Sequence, residues 1–237
     1  MKLILEQFEK SYSKYNQLLI AVSGGVDSMT LAAHKIFSQT KIYHAISPAV
    51  PDEATQRVKA YADKYAWHLV LINAGEFDDV TYVNNPVNRC FYCKKNLYQA
   101  ISETENGVIC SGANLDDLSD YRPGLDAAKL FQVEHPWIRL GVNKEKIRHL
   151  ANYFGLSDIQ DLPASPCLSS RVETGIRIFP ETLSLISQCE SAIKKLDQIT
   201  LEKLKDIERK NINSLALRLF GDNCSIASYK RGSAFLR

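Results

Sequence analysis

Three short segments carry residue types that do chemistry. The first is Ser23-Gly24-Gly25-Val26-Asp27-Ser28. Adjacent glycines let a backbone turn tightly and approach a ligand with no Cβ in the way. Set before a helix, such a loop gathers unpaired amides and the positive end of the helix dipole, which suits a pyrophosphate. Ser23 and Ser28 add hydroxyl donors. Asp27 is suited to holding Mg²⁺ or to ordering the loop. The spacing is too short for a Walker A loop, and it is not the dinucleotide Gly-x-Gly-x-x-Gly pattern.

The second and third segments carry cysteines. Cys90 and Cys93 form a Cys-x-x-Cys pair in Asn88-Arg89-Cys90-Phe91-Tyr92-Cys93-Lys94, and Cys167 lies in Ser165-Pro166-Cys167-Leu168-Ser169-Ser170-Arg171. A pair three apart at a turn or helix start can bind one metal or cluster, and a third thiolate leaves one position open for chemistry. A closed structural zinc site normally has four ligands, and neither segment offers a histidine. A redox dithiol for the pair and an incidental thiol at 167 are the plainer readings. Arg89, Lys94, Lys95 and Arg171 are expected to favour thiolate over thiol. Cys110, Cys189 and Cys224 read as packing residues.

These segments need a scaffold. The apolar run at residues 18–22, Lys41–Ile46, His68–Ile72 and Val108–Ser111 read as strands. Helical stretches are expected at Ser28–Phe37, Asp52–Ala66 and from Asn143, a good N-cap, to Phe154. This alternation predicts an α/β fold: a twisted, mostly parallel sheet with helices on both faces. A boundary is placed near residue 176. Beyond it, helices at about Pro180–Leu196 and Leu201–Arg209 and a hairpin of Leu215–Phe220 with Cys224–Tyr229 predict a small C-terminal α+β appendage.

The 237 residues are 45% hydrophobic and 24% charged, with a net charge of +2. These are ordinary values for a globular chain and give no global basic field for nucleic acid. No apolar run reaches the roughly 18 residues of a membrane helix. The N-terminal stretch is amphipathic, contains Glu6 and Glu9 and lacks signal-peptide features, so a cytoplasmic location is expected. In that compartment the six cysteines are better read as ligands or reactive thiols than as disulfides.

The hexapeptide at 23–28 resembles the PP-loop of the ATP pyrophosphatases, which cleave ATP to AMP and pyrophosphate. More of the chain resembles the LarE family, ATP-dependent sulfur transferases of nickel-pincer nucleotide biosynthesis. The similar stretches are SGGVDS at 23–28, SPAVP at 47–51, NPVNRCFYCK at 85–94, SGANLDDLSDYRPGLDAA at 111–128 and PASPCLSSR at 163–171. The resemblance implies that a substrate carboxylate is adenylylated by ATP with Mg²⁺ and that a sulfur nucleophile then displaces AMP. It implies that Asn114, Asp117 and Arg122 border the nucleotide, and that Cys167 is central. Arg122 and Arg171 are the candidates for phosphate contact, since a guanidinium binds phosphate oxygens bidentately, and Asp27, Cys167 and Arg171 are the expected catalytic residues. Members with that cysteine alone sacrifice its sulfur. Members that also carry the pair resemble [4Fe–4S] proteins, which makes Cys90, Cys93 and Cys167 the implied cluster ligands here. The implied substrate is a small, nucleotide-like carboxylate. The implied assembly is a homo-oligomer.

The C-terminal part departs from the family. Of its Arg-Val-Arg-like strand only Arg218 remains, and its later Glu has no clear match. That end either binds the acceptor or builds the oligomer. Two other functions stay open: a PP-loop tRNA thiolase, and a non-catalytic iron–sulfur or nucleotide sensor. The basic residues of the appendage interleave with Glu190, Asp197, Glu202, Asp206 and Glu208, a pattern closer to a solvated helix face than to an RNA surface.

Overall fold

The computed structural model describes residues 2–34, 40–119 and 121–200, with side chains through residue 192. The described chain runs α1 (Lys2–Tyr12), β1 (Leu18–Ala21), α2 (Val26–Ala33), β2 (Lys41–Ala45), α3 (Asp52–Tyr65) and β3 (His68–Ile72). It continues with α4 (Val80–Val83), α5 (Arg89–Thr104), β4 (Val108–Ser111), α6 (Pro123–Leu130), α7 (Pro136–Arg139), α8 (Lys144–Tyr153) and α9 (Pro180–Thr200).

The strands form one four-stranded sheet in the order β3-β2-β1-β4. All pairings are parallel, with Ile20 of β1 opposite Ile42 on one side and Cys110 on the other. A central parallel strand must be apolar on both faces, and Leu-Leu-Ile-Ala is. Leu18 and Ile20 pack in a core with Phe8, Met29, Val58, Trp137, Ile147 and Leu150. Leu19, between them, faces a second core with Tyr98 and Ile101 of α5 and Ala128 of α6. The alternation of one short strand thus places helices on both faces of the sheet.

The chain lays down β1, β2 and β3 in one direction, then returns to add β4 on the free side of β1. The loops after β1 and β4 diverge at this reversal, which in open parallel sheets opens a ligand-binding crevice at the carboxyl ends of the strands.

Helix α2 runs to Ala33 and is capped by His34, which stacks on Phe8 with ring centroids 4.7 Å apart; the expected continuation to Phe37 lies outside the described residues. Helix α9 continues past Leu196 to Thr200. Its approach is apolar: Ile178 and Leu183 pack with Ala49, Leu168 and Val172, so residues beyond position 176 rest on the α/β unit. The expected helix at 201–209, the hairpin at 215–229, Arg218, Cys224 and Asp120 lie outside the described residues. Among the described residues, no helix is long and apolar enough to cross a membrane.

Candidate active site

The glycine loop joins β1 to α2. Gly24 has φ +81°, and a Cβ there would lie 2.9 Å from the Ala54 carbonyl oxygen in the first turn of α3. Only glycine meets both demands. Arg57 fixes the turn by donating through Nη1 to the Gly24 carbonyl oxygen at 2.8 Å. Gly25 occupies the N-cap position of α2 in an extended conformation, with no side-chain cap. The first-turn amides therefore have no capping side chain competing with an anion. The serine hydroxyls serve the loop itself. Ser28 Oγ accepts from the Ser23 amide at 3.1 Å, donates to the Gly25 carbonyl oxygen at 3.2 Å and lies 3.2 Å from Ser23 Oγ. Val26 is buried, so it offers the loop its backbone alone.

The opposite wall comes from the end of β4. A Cβ on Gly112 would sit 2.6 Å from both the nitrogen and Cα of Ser28. Two residues on, buried Asn114 accepts the Asp116 amide at 3.0 Å, and its own amide donates to Asp117 Oδ2 at 3.0 Å. Asp117 Oδ1 is 2.9 Å from Arg122 Nη2. The structure thus brings Asn114, Asp117 and Arg122 together beside the glycine loop. Asp27 joins them through α8: Lys144 Nζ lies 2.8 and 2.7 Å from its two carboxylate oxygens. Trp137 Nε1 holds the Asp27 carbonyl oxygen at 3.0 Å. Burial raises the Asp27 carboxyl above its ordinary range, the Lys144 ammonium opposes that, and the Asp117 charge adds to it.

Sequence reasoning places Lys144 only within a helix. The available sign was its place just after the N-cap Asn143, at the helix end where a cation is disfavoured. His135 is a further residue of the crevice that the sequence does not single out. Its Nδ1 is 2.7 Å from Ser111 Oγ, and burial holds its imidazole below the ordinary range.

The cysteine segments meet through a buried arginine. Arg89 begins α5 and is 2% exposed, so its charge requires partners. It donates through Nη1 to the Ser169 carbonyl oxygen at 3.0 Å and through Nη2 to Ser170 Oγ at 3.2 Å. Tyr82 reinforces the junction, its hydroxyl 2.8 Å from Ser169 Oγ. Cys90 and Cys93 lie in the first two turns of α5, and Cys167 precedes a short 3-10 turn at Leu168–Arg171, its Sγ 3.5 Å from Ser170 Oγ. The Leu168 amide ties that turn to the Ala49 carbonyl oxygen at 2.9 Å, within the SPAVP stretch.

The electrostatics of the pair reverse the expectation of stabilised thiolates. Burial raises the Cys90 thiol, and the Cys167 charge adds to it. Burial pushes Cys93 up to about 12, against the pull of Lys94. Desolvation outweighs the cations: Arg89, by its charge and a hydrogen bond, and Lys94 pull the Cys90 thiol down, and burial still wins. Glu76, just after β3, is 3% exposed, its Oε2 has no hydrogen-bond partner, and its charge acts on Cys93 and Tyr82. Among the described residues, no group of three or more His, Cys, Asp or Glu side chains is arranged to hold a metal ion. Cys110 is buried in β4, with Cys189 on α9.

Arg171 is held by α9 and by its own turn. Its Nε and Nη2 bind Glu190 of α9 at 2.6 and 3.2 Å, and Nη1 donates to the Pro166 carbonyl oxygen at 2.9 Å. It anchors α9 to the Cys167 turn. Beside that anchor, a groove of about 510 Å³ is lined by Ser47, Asp52, Leu168, Ser184, Ser187 and Gln188, among others.

The glycine-loop half and the thiol half are linked through α6. Arg122 is the N-cap of α6, and a Cβ on Gly124 in its first turn would lie 3.0 Å from Lys94 Cγ and 3.7 Å from the Cys90 carbonyl oxygen. Close α5–α6 packing therefore sets Asp117 and Arg122 next to the first two turns that carry the cysteine pair.

The chain is 30% identical over 231 residues to the uncharacterized protein slr1717 of Synechocystis, covering 94% of this chain and 86% of that protein. It is 26% identical over 190 residues to the uncharacterized protein MJ0830 of Methanocaldococcus jannaschii, covering 78% and 72%. It is 23% identical over 188 residues to the pyridinium-3,5-bisthiocarboxylic acid mononucleotide synthase of Lactiplantibacillus plantarum, covering 76% and 68%. No protein-family model matches the chain.

Proposed function

The chain belongs to the family of the Synechocystis protein slr1717, with the bisthiocarboxylic acid mononucleotide synthase as a more distant relative, and from that kinship we propose that it is an ATP-dependent sulfur transferase of the LarE type. Its substrate is a mononucleotide bearing a ring carboxylate. The observation that supports the reading is the seat of α6: Gly124 packs on Lys94 and Cys90, and Arg122, two residues before it, pairs with Asp117, whose charge acts on Asp27 of the glycine loop.

The loop fits a nucleotide. A Cβ on Gly25 would meet only Ser23 Oγ, at 3.5 Å, among the described residues, which leaves room above the first turn of α2. Mg²⁺ would be held at Asp27. The loop amides stabilise pyrophosphate where its charge develops, and Arg122 binds phosphate oxygens through its fork of N–H donors. The substrate carboxylate attacks the α-phosphorus of ATP, and pyrophosphate leaves. A sulfur nucleophile on the Cys167 side then attacks the acyl carbon, AMP departs and a thiocarboxylate remains. Holding both partners in one crevice supplies the proximity that the second step requires. The groove beside Leu168 is the place for the remainder of the substrate.

The cysteines are the residues that would serve an iron–sulfur cluster: the Cys167 charge acts on Cys90 and Cys93, although the three side chains are not gathered into a metal site among the described residues. Cys90, Cys93 and Cys167 would hold it, releasing their protons. When bound, a [4Fe–4S] cluster with three protein ligands supplies an open iron for a sulfide.

The test is pyrophosphate and AMP release from ATP with and without a pyridine-carboxylate mononucleotide. Stoichiometric release that depends on the carboxylate supports the reading. Release indifferent to it, or absent with it, contradicts the reading.

A further inference from the structure

Lys144 sits where helix stability does not call for it. It opens α8, next to the positive end of the helix dipole, and the capping there is done by Asn143, whose Oδ1 accepts the Lys146 amide at 3.0 Å. Its backbone is held separately, the amide donating to Asp116 Oδ2 at 3.0 Å. The root of the side chain is thus fixed by another residue. Its ammonium sits against both Asp27 oxygens, and the two side chains are 32% and 28% exposed, so the pair forms part of the crevice wall and a ligand can reach it.

A lysine is a compact charge on a flexible stem, able to change partners without moving its backbone. Asp27 cannot easily lose its cation, because it is desolvated and also feels Asp117. A divalent ion arriving alone must therefore displace the ammonium from both Asp27 oxygens. Polyphosphate oxygens change that balance by offering the ammonium a new partner.

We propose that Lys144 is an exchangeable counter-ion that couples the two ligands of this site: it covers Asp27 in the empty protein and passes to the nucleotide's phosphates when a divalent cation takes Asp27. The proposal rests on the nucleotide-binding reading above. It makes Lys144 a binding residue for polyphosphate and a competitor of the metal, two roles with opposite signs.

Two direct binary titrations read those signs separately. Mn²⁺ binding without nucleotide is followed by electron paramagnetic resonance, and ATP binding in excess chelator by calorimetry, on the full chain. K144M should bind Mn²⁺ about tenfold more tightly than wild type and metal-free ATP about tenfold more weakly, within the range of ordinary coupling between sites. Asp27→Asn reads the same exchange from the other side: Mn²⁺ binding is lost while metal-free ATP binds more tightly. A K144M protein in which both affinities fall together, or neither moves, overturns the exchange and leaves the nucleotide reading standing. A wild-type chain that binds no ATP with or without Mg²⁺ overturns both.

Discussion

Arg89 donates to the carbonyl oxygen of Ser169, eighty residues further along the chain, at 3.0 Å. Through that bond and its partner to Ser170, the helix carrying Cys90 and Cys93 is fixed to the turn carrying Cys167. The guanidinium is a structural clamp before it is anything else.

Arg89→Met should therefore cost stability more than chemistry at a thiol would suggest. It leaves the Ser169 carbonyl and the Asn85 side-chain oxygen buried without their donor. The expected loss is about 2–4 kcal/mol, from one to two unsatisfied buried groups. Urea denaturation checks it. Arg89→Lys should recover little, since an ammonium cannot reproduce the planar fork. Wild-type stability in Arg89→Met would remove the clamp.

Gly112→Ala tests the seam between the two loops of the crevice. The new methyl would sit 2.6 Å from the Ser28 backbone, and the loop has to move. Overpacking of this kind costs about 1–3 kcal/mol, and the displaced amides should weaken ATP binding at least tenfold. Calorimetry reads both numbers. An unaltered ATP affinity would show that the loop does not hold the nucleotide.

Stability should fall at alkaline pH, with Cys93 as one identifiable source. Its thiol moves from an ordinary value near 9.0 up to about 12 because burial disfavours the thiolate. Between those values the unfolded chain gives up a proton that the folded chain keeps. The unfolded state then binds fewer protons, so unfolding becomes easier as pH rises from about 9 towards 12. Below about 9 the two states hold the proton alike and the term vanishes. Cys93→Ser should flatten the slope of unfolding free energy in that window. An identical slope in the variant would refute the assignment.

Local order was readable from the sequence where local signals decide it. The strands and the helices at Asp52–Tyr65 and Lys144–Tyr153 lie within a residue or two of expectation, since apolar runs, Pro51 and the Asn143 cap are neighbours in the chain. The glycine loop was legible because its conformational demand is written into residue type. Contacts across the chain were not. Nothing near Arg171 announces Glu190, and nothing near Asp27 announces Lys144. The charges around Cys90 and Cys93 could be counted, but their sign of effect depends on burial, which spacing does not report. Glu76 is of the same kind: its sequence neighbours give no sign that an acid following a strand is buried.

The central claim is that a phosphate loop and a thiol pocket are linked through α6 so that an activated carboxylate meets sulfur. Mass spectrometry of a single turnover by anaerobically reconstituted protein, with ATP and a pyridine-carboxylate mononucleotide, tests it most directly. The account predicts a product in which one carboxylate oxygen is exchanged for sulfur, formed in step with AMP, with Cys167 intact. AMP formed without any sulfur in the product would contradict it.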